Sequence, residues 1–139
     1  MPDTAITGTL ELEVATPERE LVREQVSDVQ VPGKQGYMGI LPGHAPLLGL
    51  LGIGTLAYVS GGRKRSLSIH GGFVEVLENH VRVLADVAER AEEIDVQRAR
   101  AALERAREEG LNPALGVDPG AALAAMMRAQ ARLATAEQK

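Results

Sequence analysis

Six charged residues toward the C-terminus have types and spacings suited to ligand chemistry: Glu89, Asp95, Arg98, Arg105, Arg128 and Arg132. Arg98 and Arg105 are a heptad apart, which on a helix puts them on nearly one face. Arg128 and Arg132 stand at i and i+4, neighbours on a helix surface. Four guanidiniums drawn from two antiparallel helices make a polyphosphate cradle, because each Arg fork matches phosphate oxygens. A carboxylate such as Glu89 or Asp95 can accept from an adenine amino group. The same charges on a solvated helical face, held in intrahelical pairs, make a second reading, and composition alone favours it. The choice depends on whether the elements bring the six together.

Elsewhere the chain offers little chemistry. Gly52-Ile53-Gly54-Thr55-Leu56-Ala57 fits the GxGxxA dinucleotide pattern, with the acid Glu75 about twenty residues on. A strand rather than a helix follows those glycines, so the fingerprint lacks its context. No Walker lysine loop occurs. His44, His70 and His80 are scattered over turns and strand ends without metal-ligand spacing, and Ser66 and Ser68 read as polar strand positions. Zero cysteines exclude disulfides, thiolate zinc sites and thiol catalysis. A net charge of −4 with two Tyr, one Phe and no Trp argues against a nucleic-acid reader, which needs a basic face and stacking rings. The N-terminus lacks a basic-then-apolar signal pattern. The longest largely apolar run, residues 47–59, is broken by glycines and falls short of the roughly 20 residues a bilayer span needs. The expectation is a soluble cytoplasmic protein with neither a catalytic nor a metal site.

The elements that must position the six residues fall into two halves, divided at residues 1–87 and 88–139. In the first half, residues 9–14 alternate apolar and charged with period two, the pattern of a half-buried strand. Further strands are read at Val29 and Val31 before Pro32-Gly33, at 55–59 before Gly61-Gly62, at 66–70 closed by Gly71-Gly72, at 73–77 and at 81–84. Between them, residues 36–56 mix Pro42, Pro46 and six glycines with Ile40, Leu41, Leu47, Leu48, Leu50 and Leu51. That mixture excludes a helix and predicts a shaped apolar loop built to lie against something. Strands this short and this often punctuated predict a sandwich or barrel.

After Ala88 the composition turns to Ala, Arg and Glu. Ile94-Asp95 reads as a helix N′–N-cap pair, predicting a helix over 96–109 with Gly110 as its stop. Asp118-Pro119 opens a second helix that runs to about Ala136. The short linker makes the pair antiparallel. A thin seam is expected, with Val96, Ala99, Leu103 and Ala106 against Leu123, Met126, Gln130 and Leu133. Alanine lets backbones approach but buries little area, so such a hairpin needs a docking surface or a ligand. It is a candidate moving part.

Taken together the motifs resemble the ε subunit family of the bacterial F-type, proton-driven rotary ATP synthase. The resemblance covers essentially the whole chain. It rests on Gly39-Ile-Leu-Pro-Gly-His-Ala-Pro-Leu-Leu48, His70-Gly-Gly-Phe-Val-Glu-Val76, Val83-Leu-Ala-Asp86 and Ile94-Asp95-Val96-Gln97-Arg98-Ala99. It implies a β + α fold, a ten-stranded β-sandwich followed by an antiparallel two-helix hairpin, and no catalysis by this chain. It implies as partners the γ subunit, the membrane c-ring and the catalytic α and β subunits. The place implied is the cytoplasmic face of the bacterial plasma membrane, peripheral and without insertion. Tyr37, Met38, Pro42 and His44 match the loop that faces the rotor ring, although some relatives carry an acid at the position of Tyr37. The family's hairpin either folds onto the sandwich or extends along γ, where it brakes ATP hydrolysis. No cofactor is required, but ATP is a regulatory ligand in some relatives, through residues matching Glu89, Ile94, Asp95, Arg98, Ala99, Arg105, Arg128 and Arg132. The competing reading is a free-standing small-molecule (nucleotide) sensor, with the sandwich as scaffold and the hairpin as trap.

Overall fold

Alternation builds the first strand of the computed structural model, which describes residues 8–139. Residues 1–7, part of the segment read for a signal pattern, lie outside the described residues. In β1 (Leu10–Ala15), Leu10, Leu12 and Val14 are buried while Glu11 and Glu13 occupy the other face. β2 (Glu20–Val26), β3 (Asp28–Gly33), β4 (Gly36–Ile40), β5 (Leu47–Ser60), β6 (Arg63–Leu77) and β7 (His80–Arg90) follow. They form one sheet in the order β2-β1-β7-β6-β5-β3-β4, antiparallel throughout except for β1 beside β7. The sheet curls over itself. β2 and β5 are not neighbours in the ladder, yet the backbone N–H of Ser27, just after β2, donates to the Val59 carbonyl at 2.9 Å. The Ser60 hydroxyl donates to the Gln25 carbonyl at 3.0 Å. One core of Leu, Ile and Val fills the space enclosed, with Val31, Ile40, Leu56, Ile69, Val74 and Val83 fully buried.

Among the described residues seven strands stand where the resemblance implied ten, and the glycines do not break the chain where punctuation suggests. Residues 36–56 are mostly strand: β4 and β5 leave only residues 41–46 outside the sheet. Gly71 and Gly72 lie inside β6, which pairs with β5 and β7 on both sides of them. Both have positive φ, +78° and +122°, so they let one long strand bend rather than end. A Cβ on Gly54 would stand 2.6 Å from the Tyr37 hydroxyl and 2.7 Å from Pro32 Cβ, so glycine there serves a close approach. Pairing with β6 along nearly the whole of β5 outweighs the glycine penalty of about 0.5–1 kcal/mol per residue. β7 runs to Arg90, three residues past the division read at 87.

A 3-10 turn (Ala91–Glu93) leads to α1 (Val96–Leu111) and, after a second 3-10 turn (Pro113–Leu115), to α2 (Pro119–Ala136). Asp95 caps α1, its Oδ1 accepting from Arg98 N–H at 3.1 Å, and Asp118 caps α2, its Oδ2 accepting from Ala121 N–H at 3.0 Å. Gly110 does not stop α1. The helix closes at Asn112, whose side chain accepts from Ala114 N–H and opens the next turn, while Gly110 sits against Ala122. The seam also differs on one side. Ala99 and Ala106 are buried as expected, but α2 presents Ala122 and Ala129, with Leu123 57% exposed and Gln130 exposed. The reason is that α2 has two neighbours. Its other face, with Ala131, Thr135 and Ala136, is buried where α2 packs on β5 and β6.

Candidate functional site

The docked hairpin assembles a groove from three elements. Glu89 comes from the end of β7, Asp95, Arg98, Ala99 and Arg105 from the start and middle of α1, and Arg132 from α2. These residues, with Glu93, Ala101 and Ala102, line a cleft of about 380 Å³. A second cleft of about 300 Å³ adjoins it and shares Ala102, Arg105 and Arg132. Arg128 and Glu109 complete that second wall. Alanine at 99, 101, 102 and 106 leaves the floor low, so the arginines stand above it.

The electrostatics of the groove are unbalanced. Arg132 Nε donates to Glu89 Oε1 at 2.5 Å, joining α2 to β7. Among the described residues, Arg98, Arg105 and Arg128 have no carboxylate partner. The one intrahelical ion pair in the hairpin, Arg107 with Glu104 at 3.1 Å, lies outside both clefts. Arg98 lines the first cleft, Arg128 the second and Arg105 both, so their guanidinium forks offer planar donors to an anion of several oxygens. Ile94 does not line the groove; it is buried and seats the turn that presents Asp95. Sequence reasoning missed Glu93. Its carboxylate lines the cleft but is held by Arg19 at 2.7 Å and 3.0 Å, and that bond lowers its pKa from the ordinary value. Its place beside Ile94-Asp95 was the available signal, whereas its partner lies 74 residues away.

The β-sandwich domain model of the ATP synthase delta/epsilon chain matches residues 9–91. The chain is 77% identical to the ATP synthase epsilon chain of Solibacter usitatus (strain Ellin6076) over the full length of both. It is 54% identical to that of Carboxydothermus hydrogenoformans over 71% of this chain and 74% of the relative. A chain in the cryo-EM structure of the Euglena gracilis mitochondrial ATP synthase, OSCP/F1/c-ring, superposes with a TM-score of 0.81 at 28% identity. That match covers 96% of this chain and 84% of the other. The chain belongs to the ATP synthase delta/epsilon family. It is a non-catalytic rotor subunit of the synthase.

The residues that the resemblance matches to a ring-facing loop centre on the turn at residues 41–46. Pro42 and His44 lie in that turn, held by Gly43 N–H donating to Asn79 Oδ1 at 2.7 Å and by His44 N–H donating to the Leu41 carbonyl at 3.1 Å. Tyr37 stands at the opposite end of β4 from them, so the structure does not gather the four residues at one point. Met38 leans on the core. Tyr37 is 56% exposed, yet its hydroxyl accepts from Thr55 N–H at 3.0 Å. That bond serves an amide left free where the β3–β5 register shifts between Gln30 and Gly33.

Proposed function

We propose that this chain regulates ATP hydrolysis in the synthase through its hairpin, and that ATP in the arginine groove holds the hairpin down. The sandwich grips γ and rests on the c-ring, contributing the turn with Pro42 and His44, and Tyr37 and Met38 along β4. An apolar strip across β5, β6 and β7 suits the γ contact: Leu48, Leu50, Phe73 and Leu84 are all exposed, with Leu48 at 73%. The hairpin, docked here, extends along γ when released and brakes hydrolysis against the α and β subunits. As part of that assembly the chain works at the cytoplasmic face of the bacterial membrane and supports proton-coupled ATP synthesis. No described helix is long and apolar enough to cross a membrane.

One observation carries the ATP reading: three arginines without carboxylate partners, drawn from both helices, line two adjoining clefts, and the first is walled by Glu89 of β7 only while the hairpin is docked. A polyphosphate there bridges what alanine packing holds weakly. Ligand at about 100 times its dissociation constant adds about 2.7 kcal/mol to the state it binds. Membership of the synthase family sets aside a free-standing sensor, but not ligand sensing by the hairpin within the complex. Calorimetric titration of the chain with ATP tests the groove, and no heat up to millimolar ATP removes it. Deleting residues 95–139 from the assembled synthase tests the brake. The expected result is faster ATP hydrolysis, and an unchanged rate refutes it.

A further inference from the structure

The sheet face beneath α2 is polar where a docking face is ordinarily apolar. Along β6, Ser66 to His70 are all buried, with Leu67 and Ile69 in the core and Ser66, Ser68 and His70 on the opposite face. Cross-strand pairing places Ile53, Thr55 and Ala57 of β5 and Val87 and Glu89 of β7 on that same face. Most of its polar groups are matched. Thr55 Oγ1 and Thr135 Oγ1 share a buried hydrogen bond of 2.8 Å. The Ser66 hydroxyl donates to Gln138 Oε1 at 2.9 Å, and Ser68 Oγ and His70 Nε2 share one of 2.9 Å. His70 Nδ1 is the exception: it is buried and without a partner.

The charged groups that face His70 are Arg128 and Arg132 from α2 and Glu89 from β7; β5 offers Ile53 and Thr55, and β6 offers Ser68, none of them ionisable. Two cations to one anion, with the anion already bonded to Arg132, leave no compensation for an imidazolium. Burial lowers the His70 pKa from 6.5 to about 4, aided by Arg132 and Arg128 and opposed by Glu89. When α2 lifts away, the imidazole meets water.

We infer that His70 is a proton-operated latch, letting α2 lie on the sheet while neutral and expelling it when charged. The inference rests on the reading that the hairpin is the moving part. Its sign follows from linkage. The docked state binds the proton more weakly than the lifted state, so docking is favoured above the ordinary value of 6.5 and is lost as pH falls from there toward 4. Between about pH 7.5 and 5.5 the docked-to-lifted ratio should fall about tenfold.

The chain has no cysteine, so cysteines introduced at exposed Lys64 and Glu104 take two spin labels uniquely. Distance distributions then read the hairpin position in the full chain. The expected result is a lifted population that grows about tenfold from pH 7.5 to 5.5, and a flat profile in His70→Gln, which keeps a partner for Ser68 but cannot charge. His70→Ser serves as a second untitratable variant should the glutamine distort the sheet. A wild-type profile without pH dependence, or the wild-type profile retained in both variants, overturns the latch. Thr135→Arg separates the two claims, because a cation in the fully buried seam must lift the hairpin at every pH. If that variant stays docked, the moving hairpin itself fails. If it lifts while the wild type is flat, only the proton latch is lost.

Discussion

The sandwich and the hairpin bury side chains of different kinds. Leu12, Ile40, Leu56 and Ile69 close the sandwich core, each fully excluded from water, and each contributes the roughly 1.5–3 kcal/mol of a large aliphatic. The hairpin closes on Ala99, Ala106, Ala122 and Ala129 and lies on Thr55, Ser66, Ser68 and His70. Hydroxyl pairs contribute about 1 kcal/mol net, because water offers nearly the same bond to the lifted state. A core of the first kind has one arrangement. A seam of the second kind can open and rewet with little loss, and the face it uncovers is already polar. Stability and the proposed motion thus rest on different residues of one short chain.

The contrast breaks first at the core. Ile69→Ala should cost about 2–5 kcal/mol and lower the unfolding midpoint of the whole chain, whereas removing residues 96–139 should leave a cooperatively folding, soluble sandwich. Chemical denaturation of both proteins checks this, and a truncated chain that melts without cooperativity would make the hairpin part of the core. Next comes the groove. Arg128→Ala should weaken ATP binding at least several-fold, as expected for a charged hydrogen bond worth roughly 1.5–3 kcal/mol, with calorimetry as the measurement. The seam follows. Thr135→Val strands the buried Thr55 hydroxyl and should lift the hairpin at a cost of about 1–3 kcal/mol, and adding Thr55→Val should recover most of it. Label distances across the double-mutant cycle read that recovery, and additive losses would show that the two hydroxyls are not partners.

The smallest effect belongs to the exposed tie between the halves. Arg19→Ala should cost no more than about 1 kcal/mol, since the Arg19–Glu93 pair is largely solvated. Arg19 lowers the Glu93 pKa, so the pair's contribution is present above the ordinary carboxylate value of 4.5 and fades as pH falls below it. Wild type and Arg19→Ala should therefore converge in stability in acid. A gap that persists below that range would assign the effect to packing of the Arg19 stem.

Local chemistry decided several features outright. The Leu10–Val14 alternation, the Asp95 and Asp118 caps and the absence of thiols all act within a few residues, so one-dimensional reading captures them. The arginines of the groove were legible for the same reason: helical periodicity places Arg98 with Arg105 and Arg128 with Arg132 before any packing is known. Tertiary structure alone decided the rest. Glycines 49, 52, 54, 71 and 72 look like breaks, but the long β5–β6 ladder, and for β6 the β7 ladder as well, carries both strands past them. Residues 122 and 129 are buried while 123 and 130 are exposed, because α2 must also satisfy the sheet, a demand that its own sequence does not announce. His70 and Ser68 look like ordinary polar strand residues until α2 covers them. Burial is a property of what lies opposite, and here that neighbour, Thr135, is supplied by a segment 80 residues from Thr55.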